Sequence, residues 1–308
     1  MKHLKTEQRN PRTRGLDLKS SLGIVRALNH EDATVALAVR RELPAIAHAV
    51  DAIVASLENG GRLYYVGAGT SGRLAVLDAA EVPPTFGVKR SLVRALIAGG
   101  RKALQGAVEG AEDSVANGAK DLLKAGMTGR DVVVGIAASG TTPYVLGALD
   151  AAKKAGAVTV GITSNKKAPL ARVVDIAIAP NTGQEAVAGS TRLKAGTSQK
   201  MVLNLLSTAT MVRLGRVYEN WMIHLTLTNR KLERRGTRIL REATGASAST
   251  AAHTLRQTGH DLPAAIVMLK AGVNAAASRR ALTASRGNAR LAIESLTNSQ
   301  HPKKGRGK

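Results

Sequence analysis

The stretch from Gly61 to Gly87, GRLYYVGAGTSGRLAVLDAAEVPPTFG, decides how the rest of the chain is read. It opens on Leu63-Tyr64-Tyr65-Val66, a short apolar run suited to a strand buried on both faces. Gly67-Ala68-Gly69-Thr70-Ser71-Gly72 follows as a turn, and Arg73 to Glu81 reads as a helix. Strand, glycine turn and helix in that order aim backbone N–H groups and the positive end of a helix dipole at one spot, a natural anion site. The glycines let a ligand approach the backbone, and Thr70 and Ser71 add hydroxyl donors. No Lys follows the last glycine, so the Walker pattern is not met, whereas Gly67-x-Gly69-x-x-Gly72 satisfies GxGxxG formally. Two hydroxyl side chains inside the loop favour a terminal phosphate over a bridging pyrophosphate. The bland alternative is a tight turn that binds nothing.

Outward from that stretch, apolar runs recur between glycine or polar turns. Leu92 to Ala98, Asp131 to Ala137, Val158 to Thr163 and Val174 to Ile178 read as four further strands. Helical patterns over 103–123 and 143–155 fill gaps between them, and Met201, Leu205, Met211 and Val212 mark a buried helix. Strands alternating with helices imply an α/β fold with a doubly wound, mainly parallel sheet. Ahead of it, residues 1–20 are polar and read as irregular, with helical spacing over 22–28 and 33–57. Beyond Thr244 short Ala-rich helices take over, separated by Gly245, Gly259 and Gly272, with no strand signal. The expected division is a helical arm over 1–60, a sugar-phosphate domain over 61–243, a small helical (UBA-like) subdomain over 244–298 and a basic tail over 299–308.

The chain of 308 residues is long enough for one large α/β domain and a small appendage without staples. It has no cysteine, which excludes disulfides, thiolate catalysis and thiolate metal sites. The N-terminus lacks the apolar segment of a signal peptide, and no apolar run reaches the ~18 residues of a spanning helix. A cytoplasmic protein with no membrane partner is the expectation. The net charge of +23 points either to an anionic partner or to a solvated basic surface. With one Phe, one Trp and four Tyr, the chain is poorly supplied for stacking on bases, so nucleic acid is not the favoured partner.

The third strand runs into Ala138-Ser139-Gly140-Thr141-Thr142-Pro143, a second hydroxyl-rich junction with proline in the first turn of a helix. Open α/β sheets bind ligands beyond the carboxyl ends of their strands, so both loops belong to one edge and one ligand. A third segment, Gly189 to Thr197, brings Ser190, Thr191 and Lys194. Hydroxyl donors without an Asp-rich cluster suit a sugar phosphate held without a metal.

Four segments together carry a family resemblance: GAGTSGRLAVLDAAEVPPTFG (67–87), AVEGAEDS (107–114), DVVVGIAASGTTPYV (131–145) and GSTRLKAGTSQKMVLNLLST (189–208). In that order they closely resemble the N-acetylmuramic acid 6-phosphate etherases, members of the sugar isomerase (SIS) superfamily. The likeness runs from about Asn10 to the last helices. It implies a three-layer SIS domain and a small C-terminal helical subdomain. It also implies a bacterial cytoplasmic homodimer with sites near the subunit interface and no metal or organic cofactor. The implied reaction cleaves the D-lactyl ether of N-acetylmuramic acid 6-phosphate, giving N-acetylglucosamine 6-phosphate and D-lactate in cell-wall recycling. The family's two catalytic glutamates fall on Glu81 in DAAEVPP and Glu112 in EGAEDS.

The chemistry accounts for such a pair. In the open-chain sugar the C1 aldehyde acidifies the proton on C2. A base removes it, lactate leaves C3 with help from an acid, and water adds at C3. Pro83-Pro84 should stop the first helix, leaving Glu81 in its last turn. The negative dipole end there would raise its pKa and make it the acid, with Glu112 as the base. Backbone and hydroxyls of Gly69, Thr70, Ser71, Ser139, Gly140, Thr141 and Thr142 are the candidate binding groups, with Ser190, Thr191 and Lys194 behind them. Taken alone, each glutamate also looks like a solvated surface charge. Glu109 reads as a flanking charge and Glu185 as a candidate substrate contact. Val82 and His224 depart from the family, which often has Cys and an acidic residue at those positions. Two rivals stay open: an aldose–ketose sugar-phosphate isomerase, and a non-catalytic sugar-phosphate sensor.

Overall fold

The structure is a computed structural model that describes residues 5–225 and 229–300. It divides into two compact units, Met1–Glu81 with Arg90–Thr210, and Val82–Lys89 with Met211–Lys308. In chain order the helices are α1 (Ser21–Asp32), α2 (Val35–Arg40) and α3 (Leu43–Glu58), followed by β1 (Leu63–Gly67), α4 (Gly69–Phe86) and β2 (Val93–Ile97). Next come α5 (Val115–Lys124), β3 (Val132–Ile136), α6 (Pro143–Lys154), β4 (Val158–Ile162), α7 (Pro169–Val173), β5 (Ile176–Ile178) and α8 (Lys194–Arg213). A short hairpin, β6 (Val217–Tyr218) and β7 (Trp221–Met222), precedes α9 (Arg230–Thr244), α10 (Ala248–Gln257), α11 (Leu262–Ala271), α12 (Ala275–Ala284) and α13 (Ala289–Gln300).

The first unit is built on an all-parallel sheet of order β2-β1-β3-β4-β5. Its central strands are apolar throughout because both faces are covered: all five residues of β1 and of β3 are buried. On one face Tyr64, Val66 and Val133 pack with Leu122 of α5 and Val145, Ala148 and Leu149 of α6. On the other, the Tyr65 hydroxyl donates to Asp78 of α4, and Ser207 of α8 donates to the same carboxylate. Each fully buried Leu or Val contributes about 1.5–3 kcal/mol, so this three-layer sandwich supplies most of the unit's stability.

The second unit has its own core, centred on Leu262, Ala264, Ala265, Ile266 and Val267 of α11 with Ile239 and Leu240 of α9. Its helices start where their caps stand. Asn229, Ser247, Asp261 and Asn274 each accept a hydrogen bond from a backbone N–H in the first turn that follows. This unit takes in residues 82–89 and starts at Met211, so its limits differ from a subdomain over 244–298. Residues 301–308 of the basic tail lie outside the described residues.

Four local expectations are corrected. The first helix does not stop at Pro83-Pro84: α4 runs on to Phe86, and Gly87 N donates to Pro83 O at 2.9 Å. Val82 and Phe86, one turn apart, are buried in the second unit. Their burial is comparable with the ~3 kcal/mol that an interior proline costs. Residues 33–57 form two helices because Pro44 opens α3, and Glu42 before it accepts from Ala179 N beyond β5. Residues 103–123 are α-helical only from Val115, since Gly110 takes φ 69° between two short 3₁₀ turns, Gly100–Leu104 and Ala111–Asp113. Within 1–20, Lys5–Glu7, Pro11–Thr13 and Leu16–Leu18 form 3₁₀ turns tied down by Thr13 Oγ1 to Ala186 O and Gly189 N to Thr6 O.

Candidate active site

The strand order locates the switch point of the sheet. β1 pairs with both β2 and β3, so its neighbours connect to opposite sides, and the crevice lies beyond the carboxyl ends of β1 and β3. Gly67 is in register with Ile136, and adjacent strands are about 4.8 Å apart. The loop after β1 and the loop after β3 are therefore immediate neighbours.

Both loops open onto helix N-termini. Gly69, Thr70 and Ser71 form the first turn of α4, with Gly69 at φ 53°. Across the crevice Ser139 Oγ accepts from Thr141 N at 3.2 Å and from Thr141 Oγ1 at 2.9 Å, which folds the Ser139–Thr142 turn on itself. Gly140, at φ 71°, packs where a Cβ would stand 2.4 Å from Ala168 Cβ. Thr142 is the N-cap of α6 but makes no side-chain capping bond, so the first N–H groups of that helix have no hydroxyl over them. An anion fits there.

Close helix packing brings Glu112 to the same place. A Cβ on Gly118 of α5 would lie 1.8 Å from Tyr144 O, and one on Gly147 of α6 would lie 2.0 Å from Val115 O. The two glycines let α5 and α6 approach at backbone distance. The 3₁₀ turn Ala111–Asp113, just ahead of α5, is thereby set against α6. Glu112 is exposed and lines a cavity of about 340 Å³ with Ala68, Gly69, Arg73, Glu109 and Asp113. The Arg73 guanidinium donates to Leu104 O and Gly106 O, holding the segment that carries Glu109 and Glu112 against α4.

Glu81 is elsewhere. It is exposed on α4, twelve residues past Gly69, which at 1.5 Å per residue is about 18 Å along the helix. The helix continues beyond it to Phe86, so the terminal-turn dipole argument for its acidity has no geometric basis.

The third segment touches the site but spends its charge inward. Gly196 lies against Thr70, 3.4 Å from a built Cβ to Thr70 Cγ2, and Ser190 and Thr191 are half-buried just ahead of α8. Lys194 is fully buried, its Nζ 2.6 Å from Glu31 Oε2, and Glu31 also accepts from Arg12. The Arg12 bond, with Lys194 and Asn10, holds the Glu31 carboxyl down at about 2 despite its burial. Glu185 is fully buried and accepts from Lys194 N and Ala195 N at 2.9 Å each, capping α8; burial pushes its pKa up and those two bonds oppose the rise. Lys194 and Glu185 thus face the interior.

Two further residues, Gln199 and Asp78, were not singled out in the sequence. Ser71 Oγ donates to Gln199 Oε1 at 2.8 Å, both side chains buried, so its proton is committed inside the protein. Asp78, one turn before Glu81, accepts from Tyr65 and Ser207, and burial outweighs those bonds to raise its pKa to about 6. A lone Asp on the apolar side of a helix pattern was the available signal. In the second unit Val82 is buried, as a packing residue would be, and His224 is half-buried, its pKa lowered first by burial and then by Arg216. Among the described residues, no group of three or more His, Cys, Asp or Glu comes together as a metal site. No helix among them is long and apolar enough to cross a membrane.

Comparison with known proteins agrees with the fold. The sequence model of the glucokinase regulatory protein N-terminal SIS domain matches residues 45–153, and that of the SIS domain matches residues 111–209. The fold is shared with a putative phosphosugar isomerase involved in capsule formation from Bacteroides fragilis. That likeness has TM-score 0.50 and 20% identity and covers 67% of this chain and 98% of the other. The protein is thus a SIS-domain protein. An N-acetylmuramic acid 6-phosphate etherase of Enterobacter sp. (strain 638) is 53% identical over 291 residues, covering 94% of this chain and 98% of its own. That of Vibrio atlanticus (strain LGP32) is 49% identical, covering 96% of each. The chain belongs to the N-acetylmuramic acid 6-phosphate etherase family.

Proposed function

We infer that this protein cleaves the D-lactyl ether of N-acetylmuramic acid 6-phosphate with water, releasing D-lactate and N-acetylglucosamine 6-phosphate. Besides the identity to the etherases, one observation carries the reading. Glu112 stands in a cavity with Gly69 of the α4 N-terminus and with Arg73, and its turn packs against α6. The phosphate goes to the uncapped N-terminus of α6 and the Ser139–Thr142 turn. The α8 N-terminus is already taken by Glu185.

From there the steps follow. Glu112 removes the C2 proton of the open-chain aldehyde, and the electron pair expels lactate from C3. The leaving oxygen takes a proton from a second carboxylic acid, Glu81. Water then adds to C3, returning a proton to Glu81, while protonated Glu112, its proton exchanged with solvent, protonates C2. Both groups are regenerated. The base must begin as a carboxylate, and Glu112 shares its cavity with the Arg73 guanidinium.

Glu81 stands eight residues, about 12 Å, along α4 from Arg73, the last residue of that helix lining the cavity. A second copy of the chain is therefore the source of the acid, in a two-fold dimer that places α4 of one protomer over the cavity of its partner. The exposed Leu77, one turn before Glu81, supplies apolar surface for that contact. This fits a cytoplasmic enzyme acting on a small sugar phosphate.

The test is to mix inactive Glu81→Ala and Glu112→Ala proteins after reversible dissociation. If Glu81 acts across the dimer, each mixed dimer holds one intact site, and about a quarter of wild-type D-lactate release returns. No recovery would place both carboxylates in one chain. No lactate from the wild type, with sugar-phosphate binding intact, would favour a sensor. Conversion between aldose and ketose without lactate would favour an isomerase.

A further inference from the structure

We propose that Arg73 is the receptor for the lactyl carboxylate, and so the residue that selects N-acetylmuramic acid 6-phosphate over sugar phosphates lacking that group. This rests on the etherase reading and deepens it. The substrate carries two anions, at opposite ends of its reacting region. The phosphate is on C6. The carboxylate hangs from the oxygen on C3, next to the C2 proton that Glu112 takes. Whatever holds the lactyl carboxylate must therefore lie close to Glu112.

Arg73 is the one cation among the described residues lining the Glu112 cavity. The same wall carries three carboxylates, Glu109, Glu112 and Asp113. The rest of the lining is neutral, so Arg73 is the charge that attracts an incoming carboxylate there. The guanidinium is also prepared for the task. Its Nε donates to Leu104 O at 3.2 Å and one terminal nitrogen donates to Gly106 O at 2.9 Å, which fixes its plane. Arginine has five N–H groups, so three remain. Among the described residues it forms no ion pair, and its charge is unspent. A fixed guanidinium with free N–H groups is a matched receptor for a planar carboxylate, which a lysine in its place would hold only as a point charge. Departure of lactate leaves Arg73 with an anionic product, and the neutral hydroxyl on C3 of the product sugar has no claim on it.

The experiment measures binding of three ligands to wild type, Arg73→Gln and Arg73→Lys. They are N-acetylmuramic acid 6-phosphate, its lactamide analogue and N-acetylglucosamine 6-phosphate, with Glu112→Gln added in each protein to stop turnover. Wild-type Arg73 is expected to bind the acid roughly 10- to 100-fold more tightly than the amide, the worth of a charge-assisted pair. Arg73→Gln loses that preference, Arg73→Lys keeps part of it, and both bind N-acetylglucosamine 6-phosphate as the wild type does. Equal binding of acid and amide by the protein with Arg73 intact overturns the proposal, with no need of a variant that folds. So does a parallel loss of N-acetylglucosamine 6-phosphate affinity in Arg73→Gln, which would trace the effect to the phosphate or to release of the 104–106 segment and not to the lactyl carboxylate. Failure of the etherase reading itself is a different result: no D-lactate from the wild type, whichever ligand binds.

Discussion

Replacing Glu31 with Gln keeps the volume of a buried side chain and removes its charge. Glu31 is 1% exposed and holds two cations, the fully buried Lys194 and Arg12. Two routes give its worth. Its pKa falls from 4.5 to about 2 in the fold, a difference of roughly 3 kcal/mol by linkage. Removing one partner of a buried ion pair costs about 3–5 kcal/mol, because the Lys194 ammonium is left uncompensated. Both point to a drop of roughly 10 °C in the melting temperature of the first unit. The sign with pH follows from the depressed value. The stabilisation is complete above the unfolded value near 4.5 and is lost as pH falls through about 2. Urea midpoints for wild type and Glu31→Gln, taken by circular dichroism from pH 8 to pH 3, should differ by a constant amount down to about pH 5 and converge below it. A difference under about 1 kcal/mol at pH 7, or one that does not narrow between pH 5 and pH 3, would refute the reasoning.

Two other perturbations test how the site is positioned. Gly118→Ala or Gly147→Ala forces a Cβ into a backbone carbonyl on the facing helix, so each should destabilise by more than about 2 kcal/mol and raise KM by displacing the Glu112 turn from α6; melting curves and steady-state kinetics check both. For Asp78, raised from 3.8 to about 6, the linkage runs opposite to that of Glu31: stability is lost as pH rises from about 4 through 6. Asp78→Asn should abolish that part of the pH slope, and an unchanged slope in denaturant midpoints would show that Asp78 is not its source.

The strands were legible because each is a short apolar run bounded by glycine or polar residues, a pattern that needs no tertiary knowledge. Leu63 to Val66 and Val132 to Ile136 are buried in the structure as their composition implies. Their order was not legible, because nothing local says that β1 lies between β2 and β3, and that adjacency makes the two hydroxyl loops one site. The helix end at Pro83 was misjudged because local backbone preference was allowed to outweigh the burial of Val82 and Phe86, which a sequence cannot price. Pro44, by contrast, was a visible signal passed over inside a good helical pattern. At the site, the segments that bring Gly69, Ser139 and Glu112 together could be named from their residue types. Whether a charge is spent inward or outward could not. Lys194 and Arg73 are both cations near a glycine-rich helix start, and only packing shows that the first is neutralised by Glu31 while the second stays open in the cavity.

The most direct test of the account is to run the reaction in D₂O and examine the product by NMR. Abstraction of the C2 proton by Glu112, elimination of lactate and return of a solvent-derived proton should give N-acetylglucosamine 6-phosphate with deuterium at C2, together with free D-lactate, and both should vanish in Glu112→Gln. Lactate released alongside a product that keeps its original C2 hydrogen would mean direct displacement at the ether, and Glu112 would not be the base.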